Sequence, residues 1–151
     1  DIELIATTLW AHIPLQDAFR TESVISDFRR IRCGVEPLDF NRFNDEHYRC
    51  FRFLEKAVSN STAKHIIVAT HHVPSFELMS PEFKGSDLNG AFTVELGDYI
   101  AASPIEYWIY GHSHRNIDKV IGNTKCISNQ LGYVFSNEHG SFDGAKYIGI
   151  A

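Results

Sequence analysis

Two short stretches constrain this chain more than any other: "IIVATHHVPS" at 66–75 and "WIYGHSHRNID" at 108–118. Each is a β-branched or aromatic run followed at once by paired histidines. Such runs read as buried strands, and successive buried strands separated by helical segments belong to a parallel or mixed sheet covered by helices. In open α/β sheets, ligands gather outside the carboxyl ends of the strands. Both histidine clusters are therefore expected at one edge of one sheet.

The remaining pattern supports that frame. Residues 3–9 read as a strand buried on both faces. Residues 11–43 carry the breakers Pro14, Gly34 and Pro37 and read as a long irregular segment with a short helix near 15–22. Asn44 reads as an N-cap, and Tyr48, Phe51, Leu54, Ala57 and Val58 recur at helical spacing, predicting an amphipathic helix over 45–58. A strand over 65–70 precedes a loop over 71–90, and a helix over 90–102 with Phe92, Leu96, Tyr99 and Ile100 on one face precedes a strand over 106–110. Gly122-Asn123 between 117–121 and 124–128 is a two-residue hairpin signal, and 145–150 reads as a last strand. The predicted class is α/β with a mixed layered sheet, residues 1–151 forming a single domain.

Composition narrows the function. A net charge of −5 without any Lys/Arg run gives no footprint for nucleic acid and no polybasic membrane patch. No apolar stretch approaches the roughly 20 residues needed to span a bilayer, and no basic-then-apolar leader is visible, so a cytoplasmic protein without a membrane partner is expected. Cys33, Cys50 and Cys126 are odd in number and lack any CxxC spacing, so buried reduced thiols are expected. The opening "DIELIATTLW" has no initiator Met and starts almost directly in a strand, which is the expectation for a fragment of a longer domain. Its first strand should leave an unpaired edge, met by a missing N-terminal segment or by a second copy in a homodimer.

The chemistry lies in the imidazoles. Each neutral ring offers one lone pair to Zn, Mn, Fe or Ni. On an extended segment His112 and His114 would point the same way, with Gly111 and Ser113 leaving room for an ion or a phosphate. A third ring would come from the 71–72 pair. An isolated HxH is more often packing or surface than ligand; here two such features follow two strands. His12, His47, His65 and His139 lack that context and read as loop, helix first turn, strand start and turn.

The ordered set "VATHHVPS", "GSDLNGAF", "YWIYGHSHRNID", "CISNQLGY" and "SFDGAKYIGI" resembles the C-terminal half of the calcineurin-like metallophosphoesterase family. The resemblance runs through nearly the whole chain and implies the C-terminal half of a four-layer αββα sandwich. It implies a centre of two divalent ions (Mn, Fe or Zn), with His71 and His112 on one ion and His114 on the other. His72 and Asn129 would stand behind the ligands or against substrate, and the choice between His71 and His72 as ligand stays open. The implied reaction is hydrolysis of a phosphate mono- or diester, with a phosphorylated substrate as partner. The family's DxH, GDxxD and GNH motifs are absent, so the catalytic His of GNH is not in this chain, and Gln130 stands where many relatives carry proline. Three neutral imidazoles without a bridging carboxylate are expected to bind metal weakly or partially, with little activity alone. A mononuclear three-His zinc hydrolase and a non-catalytic scaffold of the same fold are the alternatives. The 11–43 segment and the 75–90 loop, with Phe76, Met79, Phe83 and Lys84, are the expected cap over the site.

Overall fold

The computed structural model describes residues 1–150. Strand β1 (Ile2–Thr7) is followed by two short helices, α1 (Ala18–Val24) and α2 (Asp27–Arg30), a small hairpin of β2 (Arg32–Cys33) and β3 (Glu36–Pro37), and the long helix α3 (Phe40–Asn60). Then come β4 (His65–Thr70), α4 (Gly97–Ala102), β5 (Ile105–Tyr110), β6 (Lys119–Ile121) and β7 (Thr124–Ser128). The main sheet runs β1-β4-β5-β7-β6. Its first four strands are parallel, and β6 returns antiparallel to β7. The protein is thus a mixed α/β fold around a five-stranded mixed sheet. No described helix is long and apolar enough to cross a membrane.

The covered face forms the core. Ile5, Val68, Trp108 and Cys126 project from neighbouring strands into one cluster with Phe43, Leu54 and Val58 of α3 and Ile100 of α4. A two-residue period on the strands and a 3.6-residue period on α3 give both elements an apolar side, and burying those sides against each other is the main stabilising term. The opposite face is only partly covered. There the Tyr107 hydroxyl donates to the Gly149 carbonyl at 2.7 Å, and Lys146 donates to Asp118 and to the Ser128 carbonyl.

Several expectations need correction. β1 is not buried on both faces: Ile5 is buried, but Ile2 and Leu4 are 55% and 63% exposed, because β1 is a sheet edge whose second face lacks a covering layer. Helix α3 begins five residues earlier than predicted, capped by Asp39, whose carboxylate accepts from the Arg42 N–H. Asn44 instead lies inside α3 and pairs with both backbone polar groups of Ile13, at 2.8 and 2.9 Å. The predicted helix over 90–102 is a 3-10 turn at Asn89–Ala91 and the short α4, separated where Val73 and Val94 exchange main-chain bonds with Phe92 and Val73. Residues 145–150 form no strand, since the sheet edges are β1 and β6 and the segment crosses a face instead. Only Cys126 is a buried thiol; Cys33 is exposed and Cys50 half-buried. The hairpin forms as predicted, with Gly122 at φ +60° and the main chain of Ala101 too close for any Cβ there.

Candidate metal centre

The carboxyl ends of the parallel strands are tied together by main-chain bonds that carry the histidines with them. The Thr8 carbonyl accepts from the N–H groups of His71 and His72, and the His71 carbonyl accepts from the Gly111 N–H at 3.1 Å. The indole N–H of Trp108 donates to the Thr70 hydroxyl, which donates to the His72 carbonyl. Position in the sheet therefore fixes where both junctions start.

His71, His72 and His112 are brought together, with ligand nitrogens all within 4.8 Å of one another. His71 Nε2 and His112 Nδ1 are 2.8 Å apart, so one ring donates a proton to the other. Two imidazole nitrogens on one tetrahedral ion, each at about 2.0–2.1 Å, lie about 3.3 Å apart, so this pair is within about half an ångström of the spacing one ion requires. Burial lowers the His112 pKa to about 4, with the neighbouring His71 adding to the effect and a hydrogen bond to Ala91 opposing it. His71 has an exposed rim, yet withdrawal from water still lowers its pKa; the Asp27 carboxylate opposes that and His114 adds to it. Both rings are therefore neutral lone-pair donors near pH 7.

His72 has a different part. Its ring is 3% exposed, packed between Trp10, Phe43 and a stacked His112 at 4.3 Å. Burial, then the charges of His112, His71 and His47, depress its pKa to about 2. The Ala11 N–H donates to its Nδ1 at 2.9 Å, so Nδ1 holds the lone pair and Nε2 the proton. That commits the one lone pair to the backbone and leaves the ring as a buttress behind His112. Leu9 and Trp10, at φ 68° and 47°, turn the chain after β1 so that Ala11 reaches the ring.

His114 stands outside the three-imidazole group. Its Nδ1 lies 3.0 Å from the Glu138 carboxylate, and its ring meets Tyr133 edge-on at 4.6 Å. Hydrogen bonds from the Tyr133 N–H and from His114 hold the Glu138 carboxyl below the ordinary range, so it stays ionised and orients the ring with Nε2 free. Gly132, at φ +63°, permits this approach: a Cβ there would fall 2.6 Å from Glu138 Cβ. The extended-segment argument for His112 and His114 does not hold, because both adopt left-handed backbone, at φ 70° and 53°. The loop between them is held by Gln130. Its amide oxygen accepts from the His114 N–H at 2.8 Å, and its nitrogen donates to Ser113 Oγ and the Arg115 carbonyl. Asn129 faces elsewhere, exchanging two hydrogen bonds with the backbone of Asp143.

Sequence reasoning passed over Glu138, Tyr133 and the lock made by Gln130. The departure from proline at 130 was the available signal for the last. His47 is not in the first turn of its helix: it is buried well inside α3, and its Nδ1 lies 2.8 Å from the Trp10 carbonyl, securing the turn that presents Ala11 to His72.

No family model matches the chain. Among curated proteins, it is 29% identical over 164 residues to "Uncharacterized protein L509" of Acanthamoeba polyphaga mimivirus. That alignment takes in 99% of this chain and 56% of the viral protein, so the chain spans about half the length of the curated relative it matches.

Proposed function

We propose that the chain carries the histidine half of a metal-dependent phosphoesterase, acting on a phosphate mono- or diester, and that its sheet is the C-terminal half of a four-layer αββα sandwich. The observation that carries this reading is the convergence of His71 and His112 from two parallel strand ends, nitrogens 2.8 Å apart. His71 and His112 would hold one divalent ion (Mn, Fe or Zn), and His114, oriented by Glu138, would face a second. Ions so held polarise phosphoryl oxygens and acidify water toward neutral pH. The chain's own contribution is to keep the rings neutral, to brace His112 against His72, and to fix the loop by Gln130. The poorly covered face beside Ile2 and Leu4 is where a second sheet would pack, and the free edge of β1 would take a strand from a preceding segment or from a second copy.

One observation favours a second reading, a single-ion hydrolase: the three-imidazole group contains no carboxylate to bridge two ions. Native mass spectrometry with Mn, Zn and Fe offered separately decides between them and counts chains in the same spectra. The expected result is one partly occupied ion per chain, a second weaker still, and loss of the first in His112→Ala. A ceiling of one ion supports the single-ion reading. No bound ion at all overturns both and leaves a non-catalytic scaffold. A strictly monomeric chain argues against pairing of β1 with a second copy.

A further inference from the structure

Beside His112 lies a cavity of about 220 Å³ that the histidine chemistry does not use. Its walls are Met79, Phe83, Leu88 and Phe92, with Ser86, Asn89, Thr93 and Ser113 as polar neighbours. Phe92 stacks on the His112 ring at 4.9 Å and 29°, so one aromatic wall is shared with the candidate metal centre. The Asn89 amide donates to the Phe83 carbonyl at 2.9 Å, and the Arg115 guanidinium lies 5.8 Å from the Phe83 ring, which together fix the outer wall. Thr93 is 1% exposed, yet its hydroxyl has no hydrogen-bond partner. A buried polar group left unmet is rare and calls for an explanation, of which a ligand atom is one.

We propose that this cavity is a subsite for a single aromatic ring, the ring of an aryl alcohol esterified to phosphate. Size selects the class: an apolar cavity of about 150 Å³ holds benzene, so this one has room for one ring and its linking oxygen but not for a nucleoside or a disaccharide. Wall chemistry selects it again. Two phenylalanine rings offer stacked and edge-on contacts, and none of the lining residues carries a charge, so an uncharged aromatic ring is the group these walls meet at least desolvation cost. Ser86, Asn89, Thr93 and Ser113 supply neutral polar groups that would orient the ring's substituent. Position completes the case, since Ser113, between His112 and His114, lines the same cavity, so a ring seated against Phe92 lies beside the loop that carries both histidines. The proposal depends on the phosphoesterase reading for the phosphate but not for the ring.

The test keeps those two parts separate. Ligand-observed NMR with phenol on the full, metal-free chain reads the cavity alone. Saturation transfer to phenol but not to glycerol is expected, falling about tenfold in Leu88→Asp. On the manganese-loaded chain, phenyl phosphate should bind about tenfold tighter than glycerol 3-phosphate, with inorganic phosphate unchanged by Leu88→Asp. If Leu88→Asp fails to fold, Phe83→Ser, at a residue 40% exposed, takes its place. Absent phenol transfer, transfer that survives both substitutions, or equal affinities for the two esters overturns the subsite. Inorganic phosphate failing to bind while phenol still does removes the phosphoesterase reading and leaves the ring subsite standing.

Discussion

The two histidine junctions are built by opposite means. At the end of β4 His71 and His72 keep ordinary backbone: the Thr8 carbonyl and the Gly111 N–H hold them through main-chain bonds set up by the sheet, and the Ala11 N–H holds the His72 ring from the turn at Leu9 and Trp10. At the end of β5, His112 and His114 sit in left-handed conformations that cost about 1 kcal/mol or more each and persist only where the surroundings over-determine them. The surroundings here are side chains from further along the chain, Gln130 and Glu138. The first junction is part of the core; the second is a strained loop clamped onto it. Damage at the first should spread through the fold, and damage at the second should stay local to the site.

Acid gives the largest expected effect. The folded-state pKa values of His72 and His112 lie at about 2 and about 4, below the 6.5 of an exposed ring. On acidification the unfolded chain binds these protons first, so the stability is fully present above pH 6.5 and is lost as pH falls toward each folded-state value. Between pH 6.5 and about 4.5 the metal-free chain should lose about 2.5 kcal/mol at each ring. Below about pH 4 only His72 continues to contribute, so the core junction carries the deeper part of the loss. Urea unfolding across this range checks it, and a flat profile from pH 7 to 4.5 would mean that neither ring is withdrawn from water as described.

Next in size is His72→Ala. It empties a buried site between Trp10 and Phe43 and orphans the Ala11 N–H, which together should cost about 4 kcal/mol. By contrast, His112→Gly removes a partly exposed ring and relieves a left-handed backbone, so its cost should be about 1 kcal/mol or less. Equal costs by urea unfolding would erase the distinction between the junctions.

Much of this architecture was legible because it rests on local pattern. The runs at 66–70 and 106–110 announced parallel strands, and Gly122-Asn123 announced the hairpin. What stayed hidden depends on approach in space. Ala11 reaches His72 across sixty-one positions only because Leu9 and Trp10 turn left-handed, and no single-residue preference predicts that turn. Glu138 meets His114 across twenty-four positions through a glycine at 132. The segment 145–150 has strand-like composition but crosses a face of the sheet instead of lying at an edge, which shows that propensity states what a segment can do and placement states whether it pairs.

Gln130 offers the finest division between the junctions. Its amide satisfies the His114 N–H, Ser113 and Arg115 at once, and its own N–H donates to Asn116 Oδ1 at 2.6 Å. Gln130→Ala keeps the backbone bond and removes the three made by the side chain. Because the loop is half-exposed, water replaces part of what is lost, and the expected cost is about 1–2 kcal/mol rather than the sum of three bonds. The strain at His112 and His114 then loses its counterweight, so the loop should relax while the β4 junction stays in place. Hydrogen exchange should rise at residues 112–116 and not at 70–73, and affinity for the first metal ion should fall about 10-fold or more, the range seen when a residue supporting a ligand is removed. Unchanged exchange over 112–116 would show that the sheet, not Gln130, holds the second junction, and the contrast between the two strand ends would collapse.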